Sequence, residues 1–150
     1  MVNTLKLPVG IDSFEKIRKN QFYYIDKTKL IKEWWEKEDV ITLITRPRRF
    51  GKTLNMDMLK CFFSNRYAGR TELFEGLSVW QEEKYRSLQG SYPVIYLTFA
   101  DIKADSYEDS KNSIIAVINE AYQAHRYLLE SDAVTDGEKN LFKAFDEYTN

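Results

Sequence analysis

The sequence contains one cysteine, Cys61, and one histidine, His125, and each scarcity removes a class of chemistry. A disulfide framework inside the chain is impossible, and a zinc site of the usual nitrogen and sulfur type lacks its ligands. A Cys–His nucleophile would need these two residues to meet. Their contexts read otherwise: Cys61 falls among Met58, Leu59, Phe62 and Phe63 as an inert buried thiol, and His125 lies on an apolar helical stripe. No apolar run reaches the roughly 18 residues needed to span a bilayer. The first eight residues lack the charged-then-apolar layout of a secretory leader, so the expected setting is a reducing cytoplasm without a membrane partner. Charge of one sign is also missing. With 22 basic and 23 acidic residues, no global field recruits nucleic acid or anionic lipid, and any such contact must be local. Repeats and low-complexity tracts are absent as well.

What is present is enough apolar material for a core. With 43% hydrophobic and 15% aromatic residues, the 150-residue chain reads as one folded domain rather than a disordered tail. Its most specific stretch is Arg46-Pro47-Arg48-Arg49-Phe50-Gly51-Lys52-Thr53, between the apolar run 40–44 and a helical segment through Phe63. The last three positions match the phosphate-loop pattern G-x-x-x-x-G-K-[ST], while Arg46 replaces its first glycine. In such a loop Gly51 lets the main chain approach an anion closely. Lys52 brings an ammonium to the β- and γ-phosphates, and the Thr53 hydroxyl ligates Mg²⁺. Unpaired N–H groups at the helix start, through Leu54, complete the cradle. The bland reading is an ordinary strand-to-helix turn, with glycine for backbone freedom and threonine as a helix-start residue. The flanking periodicities and the three loop arginines favour phosphate. Arg46, Arg48 and Arg49 then serve the nucleotide's charge, pair with acids that fix the loop, or touch a nucleic-acid backbone. With Arg46 at the first corner, that corner takes an ordinary negative φ, and Pro47 stiffens the entry.

Periodicity sets the rest of the plan. Asp12 and Glu15 suggest a capped helix through about Lys19, residues 21–25 a strand, and Asp26 the cap of a helix over 27–38 whose Leu30, Ile31, Trp34 and Trp35 share one face. The tryptophans read as core, with base stacking as the rival reading. Residues 40–45, apolar on both faces, read as a central parallel strand. Residues 70–90 read as short helices that cover the phosphate site or pack on a sheet edge, with Gly90 as a helix stop. A second strand over 94–100 ends at Asp101, which is either a magnesium-site acid or a strand-end cap. Ser106 and Asp109 cap a helix over 107–131 carrying Ile114, Ile118, Tyr122, His125 and Leu129, and a last helix carries Leu141, Phe142, Phe145 and Tyr148. The expected fold is α/β of P-loop NTPase type, a mainly parallel sheet with helices on both faces and nucleotide at its carboxyl edge.

The string 45–55, together with Leu7-Pro8-Val9-Gly10, Tyr24-Ile25-Asp26-Lys27-Thr28, Leu73-Phe74-Glu75-Gly76-Leu77 and Tyr92-Pro93-Val94-Ile95-Tyr96-Leu97, resembles the predicted AAA-ATPase-like family of prokaryotic proteins. Within that family, arginine at the first-glycine position is the normal form. The resemblance implies ATP with Mg²⁺, Lys52 and Thr53 as phosphate and magnesium residues, and 46–54 as the nucleotide loop. It also implies a later strand ending in Asp-Glu and, in many members, a nuclease-like C-terminal domain that would bring nucleic acid as a partner. Neither is visible in these 150 residues. Residues 1–150 are therefore expected to be the N-terminal part of an ATPase domain, binding ATP without hydrolysing it alone. A non-catalytic regulatory module and a local nucleic-acid backbone binder are the rival functions.

Overall fold

The computed structural model describes residues 6–149; the readings made on Met1 to Leu5 and on Asn150 lie outside them. The chain divides into two compact units, Met1–Val94 and Ile95–Asn150, and each is described by itself.

In the first unit, helix α1 spans Phe14–Lys19, α2 spans Lys29–Lys37, α3 spans Lys52–Phe63 and the short α4 spans Glu83–Arg86, with 3-10 turns at Asn65–Tyr67, Thr71–Leu73 and Ser78–Gln81. The core forms around α3 because Leu54, Met58, Cys61 and Phe62 recur at helical spacing on one face. Phe62 meets Phe63 and Phe74 edge-on, each at 5.0 Å between ring centroids, and Phe14 stacks on Phe74 at 5.2 Å. Trp34 and Trp35 of α2 both pack on Phe63, which places them in the core. One polar group ties α1 to α3: the buried Asp57 carboxylate accepts the Phe14 N–H at 2.7 Å and pairs with Lys60. The Cys61 thiol lies beside it. Burial, followed by the Asp57 charge, pushes that thiol up to about 12, which makes it inert at neutral pH.

The segment 70–90 packs into this core through Leu73, Phe74, Leu77, Val79 and Tyr85. Arg18 pins it to α1 by donating to the Leu73 and Glu75 carbonyls at 2.7 and 2.8 Å. It therefore serves the core rather than covering the phosphate loop.

The expected parallel sheet is not there. Among the described residues the single β feature is an isolated parallel bridge between Ser64 and Tyr92. Residues 40–45 open with a bend and run on as coil with no backbone–backbone hydrogen bond among the described residues, and Val40, Ile41 and Leu43 are 98%, 87% and 83% exposed. Residues 21–25, which begin with a left-handed Gln21, and residues 94–99 likewise form no ladder, with Ile25 and Ile95 exposed. The reason is that an apolar, β-branched run reports a preference for extended backbone, whereas a strand also needs a neighbour beside it to take its N–H and C=O groups. The α/β P-loop architecture is therefore replaced by a helical one.

Local chemistry moved several boundaries. Ser13, not Asp12, caps α1, accepting the Lys16 N–H at 3.3 Å. Asp26 does not cap α2, which starts two residues later than expected, after Thr28. In the second unit, α5 spans Tyr107–Ala124 and α6 spans Asp136–Thr149, joined by a 3-10 turn at Arg126–Glu130. Ser106 caps α5 by accepting the Asp109 N–H at 3.1 Å. That helix stops at His125, whose buried ring lies 2.8 Å from the Ala121 carbonyl, so the stretch expected to run on to residue 131 becomes the 3-10 turn. Thr135 and Glu138 form a reciprocal capping box at the start of α6, with Glu138 accepting the Thr135 N–H at 2.8 Å and Thr135 Oγ1 accepting the Glu138 N–H at 3.3 Å. Among the described residues no helix is long and apolar enough to cross a membrane.

Candidate functional site

The loop 46–51 and the first turn of α3 make one corner of the first unit. Arg46 keeps a negative φ, as its side chain demands. The left-handed conformation falls instead on Arg49, at φ +68°, and on Gly51, at φ +73°. Gly51 occupies the cap position of α3 and has no side chain to offer, so the N–H groups of Lys52, Thr53 and Leu54 have no acceptor among the described residues. The first helical bond is Asn55 N–H to the Gly51 carbonyl at 2.9 Å. Three free donors and the positive end of a 12-residue helix therefore point out of the same corner.

The cationic side chains divide their roles. The Lys52 ammonium folds back on the loop, donating to the Arg46 carbonyl and, at 3.5 Å, to that of Pro47. Arg46, Arg48 and Arg49 are exposed and, among the described residues, none has a carboxylate partner, so the acidic pairing considered for them is not made. The Thr53 hydroxyl is exposed and unengaged, while the Leu54 side chain turns inward against the core.

Beside the corner lies a cleft of about 660 Å³, whose walls include Lys27, Leu43, Arg46, Phe50 and Asn55 and carry no carboxylate. The structure thus brings Arg46 and Phe50 to one cavity with two residues that reading the loop missed. Lys27 comes from the turn before α2, and its Nζ lies so near Gly51 that a methyl group on that glycine would stand 3.4 Å away. Asn55 comes from α3, and its Oδ1 is buried without a hydrogen-bond partner among the described residues. The signal for Lys27 was in the chain: Asp26-Lys27-Thr28 is one of the strings that carry the family resemblance. Asn55 is the last residue of the string 45–55 that carries the same resemblance.

Asp101, the candidate magnesium acid, belongs to the second unit, in an exposed turn after the extended segment. Among the described residues, no group of three His, Cys, Asp or Glu side chains is placed to hold a metal ion. The Thr53 hydroxyl, exposed beside the free N–H corner, is the group there that could ligate Mg²⁺. That suits an ion which keeps most of its waters and takes its remaining ligands from phosphate oxygens.

A family model described as predicted AAA-ATPase matches residues 8–150, nearly the whole chain. The chain belongs to the predicted AAA-ATPase family. It is also 35% identical over 118 residues to an uncharacterized protein in the vnfD 5′ region of Azotobacter chroococcum mcd 1, a match covering 77% of this chain and 21% of that relative. The chain spans about a fifth of that relative's length. No solved structure matches.

Proposed function

We propose that this chain binds ATP with Mg²⁺ through residues 46–54, as the nucleotide-binding part of an AAA-type ATPase. The observation that carries the reading is the set of three unpaired N–H groups on Lys52, Thr53 and Leu54 behind a left-handed Gly51. Such a set is suited to one polyanionic oxygen cluster, and each well-placed charge at a helix start contributes roughly 0.3–1 kcal/mol when exposed. Lys52 adds an ammonium that moves from the loop carbonyls to the phosphates. The exposed Thr53 hydroxyl is the protein's ligand for the magnesium ion, which neutralises the phosphate oxygens when bound. Arg46 and Phe50, on the cleft wall, flank the bound nucleotide, and Arg48 and Arg49 supply further positive charge. The choice of ATP over GTP follows the family's description.

Isothermal titration of Mg·ATP tests the proposal. Wild type is expected to bind, and Lys52→Ala to lose at least about tenfold in affinity, since a charge-assisted contact contributes about 1.5–3 kcal/mol. Equal affinities for the two forms, or binding of single-stranded DNA that falls steeply with salt and ignores Mg²⁺, would overturn it.

A further inference from the structure

Lys52 rests on the Arg46 and Pro47 carbonyls, and a second ammonium faces the same corner from a different segment. We propose that Lys27 is a phosphate-binding residue of this site, supplying from the turn before α2 a cation for the polyphosphate of a nucleotide. The inference rests on the nucleotide-binding reading of residues 46–54 and adds a residue that the loop pattern does not contain.

Three observations support it. Lys27 Nζ sits beside Gly51, at 3.4 Å from where a β-carbon would stand, so the ammonium lies at the point where the main chain turns into α3 and its free N–H groups begin. Glycine at 51 both permits the left-handed φ and leaves the space that the Lys27 side chain borders. Second, Lys27 shares the cleft with Arg46 while no carboxylate lines it, and among the described residues its ammonium has no anionic partner. Two neighbouring cations facing one cavity repel each other until an anion enters. Third, Asn55 also lines this cleft, and its buried Oδ1 is an acceptor with no donor among the described residues, so this part of the site has polar capacity the protein itself does not satisfy.

The main chain under Lys27 is held in place for this task. The Asp26 carboxylate accepts the Thr28 N–H at 2.8 Å, the Thr28 hydroxyl at 2.6 Å and the Ser78 N–H at 2.7 Å. The buried Thr28 Oγ1 in turn accepts the Val79 N–H at 3.1 Å. The turn is thus fastened to the segment 78–79 on its far side, and only the Lys27 side chain remains to be ordered when ligand arrives. In the string Asp-Lys-Thr, the outer two residues build the turn and the middle one faces the anion.

The test compares Lys27→Gln, Lys27→Arg and Lys52→Ala with wild type, titrating each with Mg·ATP and with sodium tripolyphosphate. Lys27→Gln is expected to weaken both ligands by about tenfold or more. Lys27→Arg should restore most of that affinity, and the ligand-free melting temperature of both should equal that of wild type, since the side chain is exposed and unpaired. Wild-type affinity in Lys27→Gln, alongside loss in Lys52→Ala, would remove Lys27 from the site and leave the loop reading intact. Weakening that arginine does not rescue, accompanied by a lower melting temperature, would assign Lys27 a structural role and overturn the inference. Failure of wild type to bind either ligand would overturn the loop reading and this inference with it.

Discussion

At the scale of single residues, Asp26 shows how a carboxylate can organise a turn without capping a helix. Burial pushes its pKa up, but the donors on Thr28 and Ser78 outweigh that effect, so the carboxyl titrates below its ordinary range. A depressed folded-state pKa means that the contribution is fully present above the unfolded value of about 3.9 and is lost as pH falls through the lower folded value. Asp26→Asn should therefore cost about 1 kcal/mol at pH 7, a figure at the low end for charged hydrogen bonds because the side chain is largely exposed and screened. The gap between the two proteins should close as pH drops below about 4. Urea denaturation at pH 7 and at pH 3 measures both numbers, and a gap that widens in acid would contradict the assignment. The residue type and its three-residue string were plain in the sequence. Its partner at Ser78 was not, because a contact across 52 positions leaves no local periodicity.

At the scale of elements, helices were readable because their signals are local. The apolar face of α3 repeats every three to four residues, and Ser106 with Asp109 places a hydroxyl three positions before a carboxylate. Ends were less readable where a tertiary partner intervenes. Gly90 was expected to stop a helix, but α4 ends at Arg86 with Ser87 as its cap, and Gly90, at φ +69°, meets a different demand. A methyl group on it would collide with Ala68 Cα and lie 2.9 Å from the Ala68 nitrogen, and neither backbone atom can move aside. The Gly90 N–H also donates to the Phe62 carbonyl at 2.8 Å, fastening the end of the 70–90 segment to α3. Gly90→Ala is accordingly expected to destabilise the protein by about 2–3 kcal/mol, combining overpacking with a left-handed φ. Equilibrium denaturation gives this directly. A cost below about 1 kcal/mol would show that the approach to Ala68 can relax.

At the scale of the whole molecule, buried residues concentrate in the first unit, in α1, α3 and the 70–90 segment, while the apolar stretch 40–43 stands in solvent. Hydrogen exchange should follow that distribution. The slowest amides are expected in α3, with Phe14, Ile17 and Tyr85 close behind, and the fastest in 40–50. Slow exchange throughout 40–45 would mean that those N–H groups are hydrogen-bonded after all, contrary to the architecture described. The candidate site straddles this contrast, with one wall on the rigid helix α3 and the Asp26-anchored turn, and the other on the open loop.

The sequence by itself determined most of the helical segments, the family and the inert character of Cys61, because each of these depends on residue type and on neighbours a few positions away. Only the tertiary structure decided that the apolar runs form no sheet among the described residues, that Lys27 meets Gly51, and that the Asn55 Oδ1 is buried without a donor among them. Strand pairing and side-chain encounters depend on what arrives from distant parts of the chain, and a one-dimensional pattern encodes the preference of a segment without encoding the partner that satisfies it.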